Sequence, residues 1–227
     1  MRNSVIIVAG GSGSRMGSAL PKQFIEINGK AIIIHTLEKF LAFEATIEIV
    51  IVINESYHSF WEKARTTAGF DYPVTLTPGG ETRFHSVKNG LKFIKGSNLI
   101  GVHDAVRPLV SVDCLRRVYE AAKSSGSAIP CIPLKESIRE INEKSSRPLD
   151  RSRIQIVQTP QVFTAEILNT AYLTDFSELF TDDASVVEKV GYPITIIAGD
   201  EYNLKITTPE DLEIAKILLI HQKHLLQ

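Results

Sequence analysis

Cysteine is scarce in this chain: 227 residues contain only two, Cys114 and Cys131. Two such thiols make neither a disulfide framework nor a zinc quartet. The expected state is a pair of reduced, packed thiols in a cytoplasmic protein. An excess of one charge is also missing, since 25 Lys and Arg against 26 Asp and Glu leave a formal net charge of -1. No global field draws in nucleic acid, so an anion site has to be a local gathering of Arg and Lys. No apolar run is long enough to cross a bilayer, which excludes a membrane span. No signal-peptide pattern precedes the first strand, and there is no internal repeat or low-complexity tract. The six histidines have no metal-ligand spacing. No Ser-His-Asp order and no activated cysteine points to covalent catalysis. What remains, at 44% hydrophobic and 22% charged, is an ordinary globular composition, long enough for one large α/β domain or two small ones.

The chain is organised around its first two dozen residues, SVIIVAGGSGSRMGSALPKQF from Ser4 to Phe24. Val5, Ile6, Ile7 and Val8 read as a strand buried on both faces. The run then breaks into Ala9, Gly10 and Gly11 and on through Gly13, where glycine permits tight turns and close backbone approach. Amide groups freed in such a turn can converge on an anion. Arg15 and Lys22 follow, with Pro21 between them. A glycine-rich turn with surface charges would explain the glycines alone. Together with Arg15, Pro21 and Lys22 they read as a polyphosphate cradle. The spacing fits neither a Walker loop, which needs Gly-Lys-Ser/Thr, nor the G-x-G-x-x-G dinucleotide fingerprint.

Further along, Asn28-Gly29 marks a turn, and a helix is expected over 31–43. The run IEIVIVI over 47–53 is the clearest strand, apolar enough for a central parallel position. A helix over 56–68 has Ser56 as its expected cap. A short strand over 74–77 ends in Pro78-Gly79-Gly80, and a helix follows over 82–94. A strand over 99–103 runs into Asp104-Ala105-Val106-Arg107-Pro108, then a helix over 111–124. In the strand over 128–132, Pro130 points to an edge position or a bend. Strands over 137–141 and 154–157 flank a polar loop, 142–151, and read as a β-arm that packs on a neighbouring subunit or folds back on its own chain. Helices over 164–174 and 183–190, a strand over 194–198 and a final helix capped by Thr208-Pro209, running to about Leu225, complete the chain.

This alternation implies a mostly parallel, Rossmann-like twisted sheet with helices on both faces. Ligands then lie beyond the carboxyl ends of the strands. The loops 9–22, 78–83, 104–108 and 199–205 should meet on one edge. Asp104, ending a strand there, is placed to hold Mg²⁺ against nucleotide phosphates, or to pair with Arg107. Gly80, Glu81 and Ser86 surround a helix start whose amides could read a base or ribose, although a Glu there also suits the helix dipole. Lys205 falls on the same edge, and Arg151 falls in the arm.

The segments AGGSGSRMGSALPKQF, GGETRFHSV, VHDAVRP, QTPQVF, TDDASVVE and NLKITTPEDL, in this order, resemble the 2-C-methyl-D-erythritol 4-phosphate cytidylyltransferases over essentially the whole chain. The resemblance implies one nucleotidyltransferase domain over 1–227, with about 134–157 as a dimerisation arm of a homodimer. It implies a magnesium-dependent transfer of CMP from CTP to the phosphate of a polyol phosphate. Arg15 and Lys22 match the residues that stabilise the transition state, and Arg151 (from the partner's arm) and Lys205 match those that hold the substrate phosphate. Ala9, Gly10, Gly11, Gly80, Glu81 and Ser86 match the cytidine pocket. Asp104 matches the carboxylate near metal and CTP, with Ala105 beside it, and Arg107, Ser137 and Thr181 match substrate contacts. The chain departs from the common pattern at Val8, Gly10, Val106 and Ser137. AGG and DAVRP are shared with the sister ribitol-5-phosphate cytidylyltransferases, whereas TDDAS and the LDR at 149–151 favour methylerythritol phosphate. A non-catalytic nucleotide-binding module is the reading from a different class; Arg15, Lys22, Asp104 and Lys205 argue against it.

Overall fold

The computed structural model describes residues 2–11 and 20–224. Arg15 and the expected helix end at Leu225 lie outside the described residues. The chain begins with β1 (Asn3–Val8), a hairpin of β2 (Glu26–Ile27) and β3 (Lys30–Ala31), α1 (Ile32–Phe43) and β4 (Glu48–Val52). It continues through α2 (His58–Ala68), β5 (Thr75–Thr77), α3 (Arg83–Leu91), β6 (Leu99–Asp104), α4 (Val112–Ser125) and β7 (Ser127–Pro133). Then come β8 (Arg139–Ile141), β9 (Ser146–Pro148), β10 (Gln155–Val157), β11 (Gln161–Thr164), α5 (Ala165–Ala171), α6 (Asp183–Lys189), β12 (Thr195–Ala198) and α7 (Pro209–His224).

The main sheet has the order β10-β7-β11-β6-β1-β4-β5, with β12 also paired to β7. Strands β6, β1, β4 and β5 are mutually parallel, and β11 runs antiparallel between β6 and β7. Side chains of a strand alternate between faces, and both faces here are covered. Val5, Ile7, Ile49 and Ile51 pack with Leu37, Trp61 and Leu115 from α1, α2 and α4. Ile6, Val50 and Val52 pack with Val87, Leu168 and Val187 from α3, α5 and α6. That two-sided burial is why β1 and β4 are apolar without alternation. The β2–β3 hairpin turns through Asn28 and Gly29, both at positive φ (52° and 77°), as its two-residue loop requires. Helix α7 closes a third, smaller core of Ile27, Ile32, Leu109, Ile206 and Leu219.

Three sequence expectations are corrected here. The cap before α2 is Asn54, whose side chain accepts the Ser56 N–H at the start of a 3₁₀ turn, so Ser56 is the capped residue. Pro130 lies in a strand with neighbours on both sides, not at an edge. Its carbonyl accepts the Gln158 N–H (2.9 Å) in the gap where β10 has ended and β11 has not begun. A strand residue's N and C=O point the same way, so the absent N–H of Pro130 faces that break and costs no ladder bond. Finally, the two strands foreseen in the arm do not pair with each other. Arg139–Ile141 pairs with Ser146–Pro148, while Gln155–Val157 returns to the main sheet beside β7. Nearest-neighbour pairing through a short loop costs less chain entropy than closure across the whole polar segment. The arm is solvent-exposed along most of its length, including Ile141.

Candidate active site

The parallel registers bring four strand ends to one line. Val8 is level with Val52 and with Asp104, and Val52 is level with Thr77. The ladder runs one residue further, with Ala9 N–H donating to Val52 C=O (2.8 Å), Ala105 N–H to Val8 C=O (3.1 Å) and Ile53 N–H to Thr77 C=O (2.9 Å). The loops therefore leave the sheet side by side. They enclose a cavity of about 280 Å³ lined by Ala9, Gly10, Gly11 and Lys22, by Gly80, Glu81, Arg83 and Ser86, and by Asp104, Ala105 and Lys205. Gln23 fastens the returning end of the first loop, its Nε2 donating to Ala9 C=O at 2.7 Å. Gly80 is required by close approach: a Cβ there would lie 2.4 Å from His85 Cβ. Its N–H donates instead to Ser86 Oγ (3.0 Å), fixing the start of α3.

Asp104 is the electrostatic centre. Its Oδ2 meets Arg107 Nε and Lys205 Nζ, both at 3.1 Å, while Arg83 Nε stands 3.9 Å from its Oδ1. Burial alone raises the carboxyl's pKa, but the charges of Arg83, Lys205 and Arg107 more than reverse this and hold it well below the usual carboxylate range. The Asp104 N–H donates to Thr159 Oγ1 (3.1 Å), which also lies 3.0 Å from His103 Nδ1. The Arg107 carbonyl can only accept, so Nε2 of His103 carries a proton and donates to it (3.3 Å), and in the buried, uncharged ring Nδ1 then accepts from the Thr159 hydroxyl. His103 is thus neutral, and burial pushes its pKa down to about 3. Arg107 Nη1 donates to Asn203 C=O (2.8 Å), and Asn203 Nδ2 donates to Thr159 C=O (2.8 Å). These bonds tie the loops after β6, β10 and β12 into one frame.

A second cavity, about 260 Å³, adjoins the first. Its lining includes Arg107, Gln158, Thr159 and Thr181, and it shares Arg83, Asp104 and Lys205 with the first. Two of the foreseen site residues are not brought there. Ser137 and Arg151 are exposed on the arm, and Arg151 Nη1 donates to Lys135 C=O. Neither lines either cavity within this chain. Sequence reasoning gave no role to Arg83, His103, Thr159, Asn203 or Asp183. One signal was available for Arg83: a cation in the first turn of a helix opposes the macrodipole and so needs anions nearby. Asp183, fully buried, supplies one at 2.6 Å. Burial disfavours the charged guanidinium, but Asp183 and Asp104 outweigh it and raise its pKa.

Glycine-rich loop backbone, the cations Lys22, Arg83 and Lys205, and the carboxylates of Glu81 and Asp104 surround the first cavity, with no His or Cys in its lining among the described residues. Such a site works by charge and position on a phosphoryl group; fold and site together define a nucleotidyltransferase. The family described as 2-C-methyl-D-erythritol 4-phosphate cytidylyltransferase matches residues 4–221. Proteins of that name from Bacteroides thetaiotaomicron are 46% identical over 219 residues, covering 96% of this chain and 100% of that protein, and from Geobacillus kaustophilus 39% identical over 222 residues, covering 96% and 97%. The crystal structure of 4-diphosphocytidyl-2C-methyl-D-erythritol synthase from Anaerococcus prevotii superposes with a TM-score of 0.83 at 25% identity, covering 96% of this chain and 98% of that one. The Thermus thermophilus 2-C-methyl-D-erythritol 4-phosphate cytidylyltransferase gives 0.74 at 30% identity, with the same coverage. The chain belongs to the 2-C-methyl-D-erythritol 4-phosphate cytidylyltransferase family.

Proposed function

We propose that this chain transfers CMP from CTP to 2-C-methyl-D-erythritol 4-phosphate, as a step of non-mevalonate isoprenoid synthesis. The observation that carries the reading is the shared wall: two cavities for two anions meet at Arg83, Asp104 and Lys205. The first cavity takes CTP, with its base end at Gly80, Glu81 and Ser86 and its phosphates towards Gly11 and Lys22. The second takes the polyol phosphate, with Thr181 and Arg107 in its lining. An oxygen of the acceptor phosphate forms a bond to the α-phosphorus as the bond to the bridging oxygen breaks, and pyrophosphate leaves with that electron pair. No protein nucleophile and no obligatory proton transfer are needed. Lys22 and Arg15 stabilise the charge that builds on the α-phosphoryl oxygens, and Lys205 holds the attacking phosphate in line.

The chemistry of Asp104 suits a magnesium ion. Mg²⁺ takes one or two carboxylates and draws its other ligands from phosphates and water, and Asp104 is a single hard ligand whose Oδ1 has no donor within hydrogen-bond distance among the described residues. When bound, the ion supplies positive charge to the triphosphate oxygens. Arg151 and Ser137 reach an acceptor site by the arm of a second subunit in a homodimer, which accounts for their distance from the cavities of their own chain. The enzyme works in the cytoplasm, in keeping with its two buried free thiols. No helix among the described residues is long and apolar enough to cross a membrane.

Purified protein with CTP and Mg²⁺ should release pyrophosphate mainly with methylerythritol 4-phosphate, and EDTA should abolish the release. Faster turnover with ribitol 5-phosphate would overturn the assigned acceptor. Tight CTP binding without turnover on any polyol phosphate would leave only a binding module. Sedimentation at a monomer's mass would remove the partner's arm from the site.

A further inference from the structure

We propose that Arg83 is a further catalytic residue, its guanidinium touching the phosphoryl group as it passes between the two cavities, with Asp183 and Tyr172 as the residues that position it. The inference rests on the transfer reaction proposed above and assigns a role in it.

Joining two anions across a boundary is opposed most strongly at the boundary itself. A cation common to both walls acts on both partners at once, and more strongly as they approach. Only Arg83 and Lys205, among the described cations, line both cavities. Lys205 is exposed at the rim, with 41% of its side chain accessible, against 28% for Arg83. Arg83 is also the better fixed of the two. Its Nη2 donates to Asp183 Oδ2 at 2.6 Å, and the other oxygen of Asp183 accepts the Tyr172 hydroxyl at 2.7 Å. Asp183 is fully buried at the first position of α6, where the helix dipole favours a carboxylate. Tyr172 is buried as well, its ring stacked on Phe84 with centroids 4.9 Å apart. The clamp thus grips one nitrogen from behind. Nη1 has no hydrogen-bond partner among the described residues, and Nε stands 3.9 Å from Asp104 Oδ1. A planar fork with donors to spare, always charged, suits phosphoryl oxygens. In the step itself Arg83 exchanges no proton: the acceptor oxygen–phosphorus bond forms, the phosphorus–bridging oxygen bond breaks, and the guanidinium only shares the growing charge.

Removing Arg83 alone would strand a buried carboxylate. The decisive variant is therefore the double one, Arg83→Gln with Asp183→Asn, which replaces the ion pair by an amide pair. It should fold, by thermal melting, and bind CTP within a few-fold of the parent by calorimetry, while kcat falls about 10²-fold or more. Asp183→Asn alone should lower kcat with the KM for CTP unchanged, a split that a merely structural role would not produce. Guanidinium ion added at a non-denaturing concentration should raise the kcat of Arg83→Ala and leave that of Lys22→Ala unmoved. A folded double variant with near-parental kcat overturns the inference. Should the double variant not fold, Arg83→Lys decides, since it keeps the ion pair but loses the fork, and parental kcat there overturns the inference equally. A parent that transfers to no polyol phosphate overturns the reaction and this role together; a competent parent with equally competent variants overturns this role alone.

Discussion

Acid should destabilise this protein in a pH window that belongs to one histidine. His103 is fully buried in β6 and neutral, giving one hydrogen bond to Arg107 C=O and receiving one from Thr159. Its folded pKa is pushed down by burial to about 3, against an ordinary value of 6.5. Above 6.5 neither the folded nor the unfolded chain holds the proton, and the group contributes no pH dependence. Below 6.5 the unfolded chain binds a proton that the folded chain refuses, so stability falls as the pH falls. The slope is about 1.4 kcal/mol per pH unit, so roughly 3 kcal/mol is lost by about pH 4.5. Asp104 acts in the same direction, because its folded pKa is also depressed. Its contribution starts only below the ordinary carboxylate value near 4, so the upper window is left to His103. Urea unfolding at a series of pH values can be followed through Trp61, the chain's one tryptophan, which is buried. His103→Gln should be less stable than the parent at neutral pH, having lost hydrogen bonds, but should show a shallower slope between pH 6.5 and 4.5. The difference between the two slopes isolates His103 from the other histidines. Equal slopes, or an imidazole resonance of His103 titrating near 6.5 in the folded protein, would refute the reasoning.

Three further outcomes are expected. Lys22→Ala should lower kcat by about 10²-fold or more while CTP affinity changes little; a parental rate would remove Lys22 from the transition state. Arg151→Ala should raise the KM for the polyol phosphate and leave CTP binding alone. At polyol phosphate well below the variant's raised KM, where Arg151→Ala alone is nearly inactive, mixing it with Lys22→Ala should restore about a quarter of parental activity by random assortment of a two-fold pair, whereas an arm serving its own chain would restore none. Gly80→Ala should weaken CTP binding about fivefold or more, because forcing a Cβ against His85 costs about 1–3 kcal/mol. Calorimetry reads that loss, and unchanged affinity would show that the loop gives way.

What the sequence revealed and what it hid divide along the range of the interactions. Strands β1 and β4 were legible because two-sided burial writes itself into consecutive residues. So was the cap Thr208, which acts within three residues of itself. The shared edge for the loops followed from the parallel direction of the strands, which brings their carboxyl ends together. Partner choice was not legible. Nothing near residue 139 says that it pairs with residues 146–148 rather than 155–157, and nothing near Pro130 says that its missing donor faces a break between two other strands. The site shows the same division. Gly80, Lys22 and Asp104 stand out as residue types beside strand ends, whereas Thr159 and Asn203 matter only because folding sets them against His103 and Arg107. Arg83 lies between these cases, since the charge that opposes its own helix dipole is visible before any partner is known.

The way the arm is rooted has a consequence of its own. The strand returning from it, β10, passes directly into Val157, Gln158 and Thr159, which wall the second cavity. Gln158 also exchanges two hydrogen bonds with the backbone of Asp200, at 2.8 and 3.1 Å. The hairpin is thus joined to the sheet by two neighbouring strands, β7 before it and β10 after it, and the second of these connections runs straight into the wall of the acceptor cavity.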